Sequence, residues 1–162
     1  MSIKKIKPNG LYKSGKFKPM NPEKYIGDFH NIICRSSWEQ RFCTYCDRNT
    51  NILKWSSEPL SIPYWSPIDK KEHKYFVDYY IQVKKADQTV ENWFIEIKPE
   101  NQYDITKRPQ EPIGNLTEKK IRNYNEKLKT WIINRAKFEA ATRFAEARGY
   151  KFGAINESFI MR

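Results

Sequence analysis

The segment that most restricts the fold is a pair of alternating runs, Lys74 to Lys84 and Val90 to Lys98, rich in Tyr, Phe, Val, Ile and Trp and joined around Ala86-Asp87-Gln88. Period-two alternation of such residues across a short polar interruption predicts a β-hairpin. In the first strand Tyr75, Val77, Tyr79, Ile81 and Val83 fall on one face, and Phe76, Asp78, Tyr80 and Gln82 on the other. In the second, Trp93, Ile95 and Ile97 oppose Phe94, Glu96 and Lys98, and Pro99 ends the ladder because it has no amide hydrogen. A three-residue loop sets Lys85 against Thr89, and that register brings Asp78 directly opposite Glu96. Opposed Cβ atoms lie about 4.5–5.5 Å apart, where like charges destabilise a sheet. Either Lys98, on the face of Glu96, or a divalent cation between the carboxylates would compensate them.

An Asp facing Glu-x-Lys across two strands also meets the demands of metal-dependent phosphodiester hydrolysis. Asp78 and Glu96 offer hard oxygen ligands for Mg2+ or Mn2+. Such an ion polarises a phosphoryl oxygen and lowers the pKa of bound water. Lys98 supplies a point charge for the added negative charge of five-coordinate phosphorus. Charged residues on a hairpin are commonly the solvated face of a half-buried sheet. Here Phe76, Tyr80 and Phe94 share the carboxylate face, and unpaired charges among aromatics are costly. A structural ion pair gives the same pattern, so both readings stand on the residues alone.

Ser36-Ser37-Trp38-Glu39 has the form of a capping box and opens a helix to about Asp47, with Trp38, Phe42, Tyr45 and Cys46 on one face. Glu39 is thus both a capping carboxylate and a candidate for a third oxygen ligand or the partner of a metal-bound water. Extended segments follow at Ile52 to Ser56 and Leu60 to Tyr64, Pro63 arguing against an interior position. Residues 99–116, with Pro99, Pro109, Pro112 and Gly114, read as a long loop, a lid or an interaction segment. Thr117 to Arg148 reads as a long helix with Ile121, Tyr124, Leu128, Trp131, Phe138 and Ala145 on its buried face, stopped by Gly149. Tyr150 to Asn156 reads as a final strand, reached through that helix and therefore parallel to its neighbour. The expected fold class is mixed α/β, a central mixed sheet flanked by helices.

Of the 162 residues, 30 are Lys or Arg and 19 are Asp or Glu, giving a net charge of +11, and 15% are aromatic. The length fits one domain, the aromatic content argues for a packed core, and the charge favours a polyanionic partner. Residues 1–38 carry eight basic and two acidic side chains. With Pro8, Gly10, Gly15 and Pro19 among them, residues 1–30 read as a flexible basic arm ahead of a single domain at 31–162. Lys4, Lys5, Lys7, Lys13, Lys16 and Lys18 of that arm, with Arg35 beyond it, are candidate phosphate contacts. No apolar run approaches the roughly 20 residues of a membrane span, and MSIKKIKPNG has no apolar signal-peptide core, which favours a soluble intracellular chain. Cys43-x-x-Cys46 finds no second pair at zinc spacing, so Cys34, Cys43 and Cys46 read as small, reduced core residues. The sequence carries no glycine-rich phosphate loop or serine-nucleophile motif, and no small-molecule cofactor is expected.

In order, Ser36-Ser37-Trp38-Glu39, Tyr75-Phe76-Val77-Asp78 and Phe94-Ile95-Glu96-Ile97-Lys98-Pro99 resemble the PD-(D/E)xK nuclease superfamily over most of the chain, with Val77-Asp78 in place of its namesake Pro-Asp. Asn21 to Asp28, Arg35 to Glu39 and Pro63-Tyr64 look like the head-completion nucleases of T-even-like tailed phages. Asn134 to Ala141 and Gly149-Tyr150 also resemble that group, which is similar to the TnsA-like endonuclease subunits of heteromeric transposases. The resemblance implies a restriction-endonuclease-like αβββαβ core and cleavage of double-stranded DNA with Mg2+ or Mn2+. For the phage members it implies action at the portal vertex as packaging ends, with portal or neck proteins as partners, in the virion and the host cytoplasm. Carried over by residue, it implies Asp78 and Glu96 as metal ligands, Lys98 as the catalytic lysine, Glu39 as the first-helix acid and Lys137 as a support near phosphate. Two rival roles remain: a neck protein that binds packaged DNA without cutting it, and a transposase-like or junction-resolving subunit that needs a partner.

Overall fold

Alternation produces the hairpin in the expected register. Ile81 pairs with Trp93 and Lys84 with Val90, and Lys85 N–H donates to Thr89 O at 2.8 Å across the loop, where Gln88 takes a φ of 68°. The computed structural model describes residues 15–160, so Lys4, Lys5, Lys7 and Lys13 lie outside the described residues. In chain order its elements are β1 (Gly15–Lys16), β2 (Ile33–Cys34), α1 (Ser37–Arg48), β3 (Ile52–Ser57), β4 (Ser61–Ser66), β5 (Lys71–Phe76), β6 (Tyr79–Lys84), β7 (Val90–Ile97), α2 (Glu100–Tyr103), α3 (Glu118–Glu146), β8 (Lys151–Ile155) and α4 (Glu157–Ile160). The central sheet runs β3-β6-β7-β8, antiparallel except for the β7–β8 pair, which is parallel as a helical return requires. This is the mixed sheet flanked by helices that the sequence implies.

The first strand of the hairpin is not continuous. Lys74 to Lys84 divides at Val77-Asp78 between β5, which pairs with β4, and β6, which pairs with β3 and β7. Together β3–β4 and β5–β6 form one long bent ribbon. Between the pairs Ser57↔Tyr79 and Ser61↔Phe76 one strand advances four residues and the other three. The extra residue makes a bulge at Glu58, whose φ is 45°, and a bulge both bends a ribbon and breaks its alternation. Val77 N–H still donates to Leu60 O, and Glu58 N–H to Asp78 O, so the bend stays bonded. Consequently Tyr75 and Val77 do not share a face with Tyr79 and Ile81, as strict alternation predicts. They pack with Phe94, Ile62 and Ala141 on the side of α3, while Tyr79, Ile81 and Ile95 pack with Phe42 of α1.

Each helix covers one face of the sheet. Ser36 Oγ accepts the Glu39 amide and caps α1, which buries Phe42, Cys43 and Cys46 against Cys34, Trp55 and Tyr79. That face is rotated from the predicted one, since Tyr45 is exposed and Cys43 is buried beside Phe42 and Cys46. On the opposite side, fully buried Ala141 and Ala145 let α3 lie close to the sheet. At 29 residues, α3 is about 44 Å long at 1.5 Å per residue, longer than the sheet needs. Its first turns therefore run past the core, and Ile121, expected inside, is exposed. Residues 99–116 contain α2 and are tied to α3 where Ile105 O accepts from Trp131 Nε1 at 3.0 Å.

Of the expected arm at 1–30, residues 1–14 lie outside the described residues. Residues 17–26 pack on the domain: Phe17 and Tyr25 meet the Trp55 ring edge-on. Buried Asp47 accepts from Met20 N–H and Asn21 N–H at 2.8 and 3.0 Å. Lys24 Nζ donates to the Cys46, Asp47 and Asn49 carbonyls at 2.7–2.9 Å, closing the C-terminus of α1. Turn residues and lysines thus signal a helix-capping strap here, where composition alone suggests a tail. No helix of the described residues is long and apolar enough to cross a membrane.

Candidate active site

The bend in the ribbon places Asp78 at the mouth of β6, beside the end of β7. Asp78 Oδ2 accepts Ile97 N–H at 2.8 Å, and Oδ1 accepts no hydrogen bond among the described residues. Glu96 is 3% exposed. Its Oε1 lies 2.7 Å from Lys98 Nζ, and its Oε2 accepts the Tyr75 hydroxyl at 2.6 Å. Burial, and then the charge of Glu96, push the Asp78 carboxyl well above the usual carboxylate range; Ile97 N–H and Lys98 oppose that, and Glu39 adds to it. After burial, the charge of Glu96 thus weighs more on Asp78 than that of Lys98, in the direction the register predicts.

Tyr75, not Phe76, stands beside the carboxylates, because the bulge exchanges the faces of β5. Phe76, expected on the carboxylate face, points into solvent at 60% exposure. Lys137 projects from α3 to lie 5.6 Å from the ring centres of both Tyr64 and Tyr75. Burial, then the charge of Lys98, lower the Lys137 pKa, while Glu96 and Asp78 pull it upward. Two cations and two carboxylates thus share one cleft. The signal that would have found Tyr75 and Tyr64 is the Ser57-Glu58-Pro59 turn, which interrupts β3–β4 opposite Val77-Asp78.

On the other side of Asp78, Glu39 Oε2 accepts Arg35 N–H at 2.8 Å and its Oε1 accepts from Ser36 Oγ at 3.4 Å, a variant of the capping box. Burial raises the Glu39 pKa, and Arg35 opposes the rise. The Arg35 guanidinium forms an ion pair with Glu58 at the bulge, which raises its pKa, and it also feels the charges of Glu39 and Asp78. Among the described residues no three His, Cys, Asp or Glu side chains gather on one metal position. Glu39 lies near enough to Asp78 for its charge to add to the rise of the Asp78 pKa. Lys16 and Lys18 are exposed outside this cleft, Lys16 Nζ donating to Asn31 Oδ1 at 3.3 Å.

As a donor set, Asp78 and Glu96 fit a hard divalent ion of the Mg2+ type, which takes one or two carboxylates and fills its remaining positions with water and substrate oxygens. Asp78 Oδ1 and the mutual repulsion of the pair are the features that such a cation would satisfy.

Comparison with known proteins covers the same region. The family model of the TnsA-like endonuclease N terminal matches residues 49–157, a span that runs from β3 through β8 and contains Asp78, Glu96, Lys98 and Lys137. The head completion nuclease of Enterobacteria phage T4 is 39% identical over 144 residues, 89% of this chain and 91% of that protein. No solved structure matches.

Proposed function

We propose that this chain, which belongs to the TnsA-like endonuclease family within the PD-(D/E)xK superfamily, is a phage head-completion endonuclease that trims double-stranded DNA at the portal vertex. The observation that carries the reading is the meeting of Asp78, Glu96 and Lys98 at one strand end, Glu96 held by Lys98 at 2.7 Å and by Tyr75 at 2.6 Å, and Asp78 by Ile97 N–H at 2.8 Å. The phage setting is supported by the extent of the match to a protein named for head completion.

In this reading Asp78 and Glu96 hold Mg2+ or Mn2+. When bound, the ion supplies Lewis acidity toward a phosphoryl oxygen and a water of lowered pKa. Lys98 Nζ orients the attacking water and stabilises charge gathering on the phosphorus oxygens. Tyr75 fixes the Glu96 carboxylate. Lys137 and Arg35 hold the flanking phosphates, and Glu39 keeps the Arg35 segment against α1 while adding negative charge beside Asp78. The nuclease domain is residues 31–162, with the strap of residues 17–26 packed on it, and Lys4, Lys5, Lys7, Lys13, Lys16 and Lys18 at the start of the chain track the DNA backbone.

Supercoiled plasmid with and without Mg2+ or Mn2+ tests this, for the wild type beside Asp78→Asn and Lys98→Ala. Metal-dependent nicking or linearisation lost in both variants is expected. Binding without cutting, alike in all three proteins, would replace the proposal with a structural neck role.

A further inference from the structure

We propose that the outer face of the β4–β5 ribbon holds unpaired bases of the DNA strand next to the scissile phosphate, so that the enzyme prefers DNA with an unstacked segment, at an overhang, flap or branch, over continuous duplex. This rests on the nuclease reading above and names the form of its substrate.

The ribbon buries only one face. Ile62, Tyr64 and Tyr75 pack on α3, and the opposite face carries Trp65 at 62% and Phe76 at 60% exposure. These are the two most exposed aromatic rings among the described residues. A half-buried antiparallel sheet ordinarily turns polar residues outward, so folding gives no reason for these two. Directly paired residues share a face, and the ladder Ser61↔Phe76, Pro63↔Lys74, Trp65↔Glu72 puts all six on the outer side.

Their position ties them to the cleft. Phe76 is two residues before Asp78, so this face ends at the bend beside which the carboxylate pair stands, on the side of the ribbon opposite Tyr75. Trp65 and Phe76 stand four residues apart along the ribbon, about 13 Å at the rise of a strand, with Pro63 and Lys74 between them. A protein-docking face has a contiguous apolar core. Separate rings divided by a lysine instead match bases that are not adjacent along an extended strand, with a phosphate contact between. Lys70 and Lys71 add charge at the ribbon tip; of the acids there, Asp69 is engaged by His73 at 2.7 Å and Glu72 stands beside Trp65. Within a duplex the faces of bases are covered by their neighbours, so the rings can stack only where the helix is open. Base–aromatic stacking is worth about 1–3 kcal/mol per base.

The test uses full-length protein with Ca2+ in place of Mg2+, and fluorescent DNA of one sequence as blunt duplex and as a splayed arm. Wild type is expected to bind the splayed arm on the order of tenfold or more tighter than the duplex. Trp65→Ala/Phe76→Ala should lose that preference while keeping its duplex affinity and melting temperature. A 2-aminopurine in the arm should be quenched by wild type and not by Trp65→Leu, a readout that stands even if the double variant folds poorly. Equal binding of the two DNAs by wild type, or equal losses on both in the double variant, overturns the proposal and makes this face a protein surface, leaving the nuclease reading intact. Failure to bind either DNA, together with no cutting in Mg2+, overturns both.

Discussion

The two hairpins that meet at Asp78 are built from similar alternating residues and are covered differently. In β6–β7, Tyr79 and Ile95 pack toward α1 while Phe94 and Tyr80 pack toward α3, so both faces are inside. In β4–β5 only Ile62, Tyr64 and Tyr75 are covered, and Trp65 and Phe76 remain in solvent. The bulge at Glu58 makes the difference: it lifts the distal half of the ribbon off the sheet and turns its odd-numbered residues from the side of α1 to that of α3. One hairpin is scaffold and the other an arm, and the charged cleft sits at their junction. A carboxylate at a bend is also less confined by ladder bonds than one within a strand, which suits a ligand that must meet a metal and a phosphate.

The largest effect should come from the junction itself. Asp78→Asn or Glu96→Gln is expected to lower metal-dependent cleavage by about 10³-fold or more, measured as nicking rate at saturating Mg2+, with the fold kept by circular dichroism. An active Asp78→Asn protein would move the chemistry away from the bend and leave the hairpins as mere neighbours.

Next comes the scaffold–arm distinction, testable with one residue type on each side. Phe94 is 3% exposed and Phe76 60%. Truncating a buried phenylalanine costs about 3–5 kcal/mol, because a cavity is left, whereas a surface change is usually within about 0.5 kcal/mol. Urea melts of Phe94→Ala and Phe76→Ala should therefore differ by several kcal/mol. Similar losses in both would mean that the outer ribbon face is covered in solution.

Much of this was legible in the sequence, and the misses share a cause. The hairpin register, the Ser36 cap, the long helix and the parallel last strand follow from period, capping chemistry and connection length, all local. They suffice to set Asp78 opposite Glu96 and Lys98 beside it. What alternation cannot show is a place where alternation stops: the Glu58 bulge is a one-residue insertion relative to a partner strand 20 residues away, and it reassigned Tyr75, Val77 and Phe76 together. Asp47 and Lys24 were similarly hidden, since their work is to bond a segment distant in sequence. Tyr75→Phe measures what that hidden contact is worth. Removing the hydroxyl that holds Glu96 Oε2 should raise the Mg2+ requirement by about 10- to 100-fold, the usual cost of losing a partner behind a metal ligand, and Tyr64→Phe should change it little. An unchanged requirement in Tyr75→Phe would make the inner face of the arm packing only.

The smallest expected effect separates a metal pair from a structural ion pair. Burial and the charge of Glu96 raise the Asp78 pKa above its unfolded value, so folding favours the protonated acid. Metal-free protein then has its Asp78 contribution in full at low pH and loses it as pH rises through the folded pKa. Asp78→Asn removes the charge while keeping an acceptor for Ile97 N–H. In EDTA the variant should melt above wild type at pH 8, by an amount on the order of 1 kcal/mol or more, and the gap should close as the pH falls to the ordinary aspartate value of about 4. Glu39, also raised, and Glu91, held at about 2 by Lys151, are common to both proteins and cancel in the difference. Trp65→Ala, on the arm, should show no such pH dependence. At pH 8, Mg2+ should raise the melting temperature of wild type and not of Asp78→Asn, because the ion neutralises the repulsion that the substitution has already removed. A gap of the opposite sign would show that Lys98 and Ile97 N–H over-compensate Asp78, and the cleft would then be an ion pair holding the arm to the scaffold.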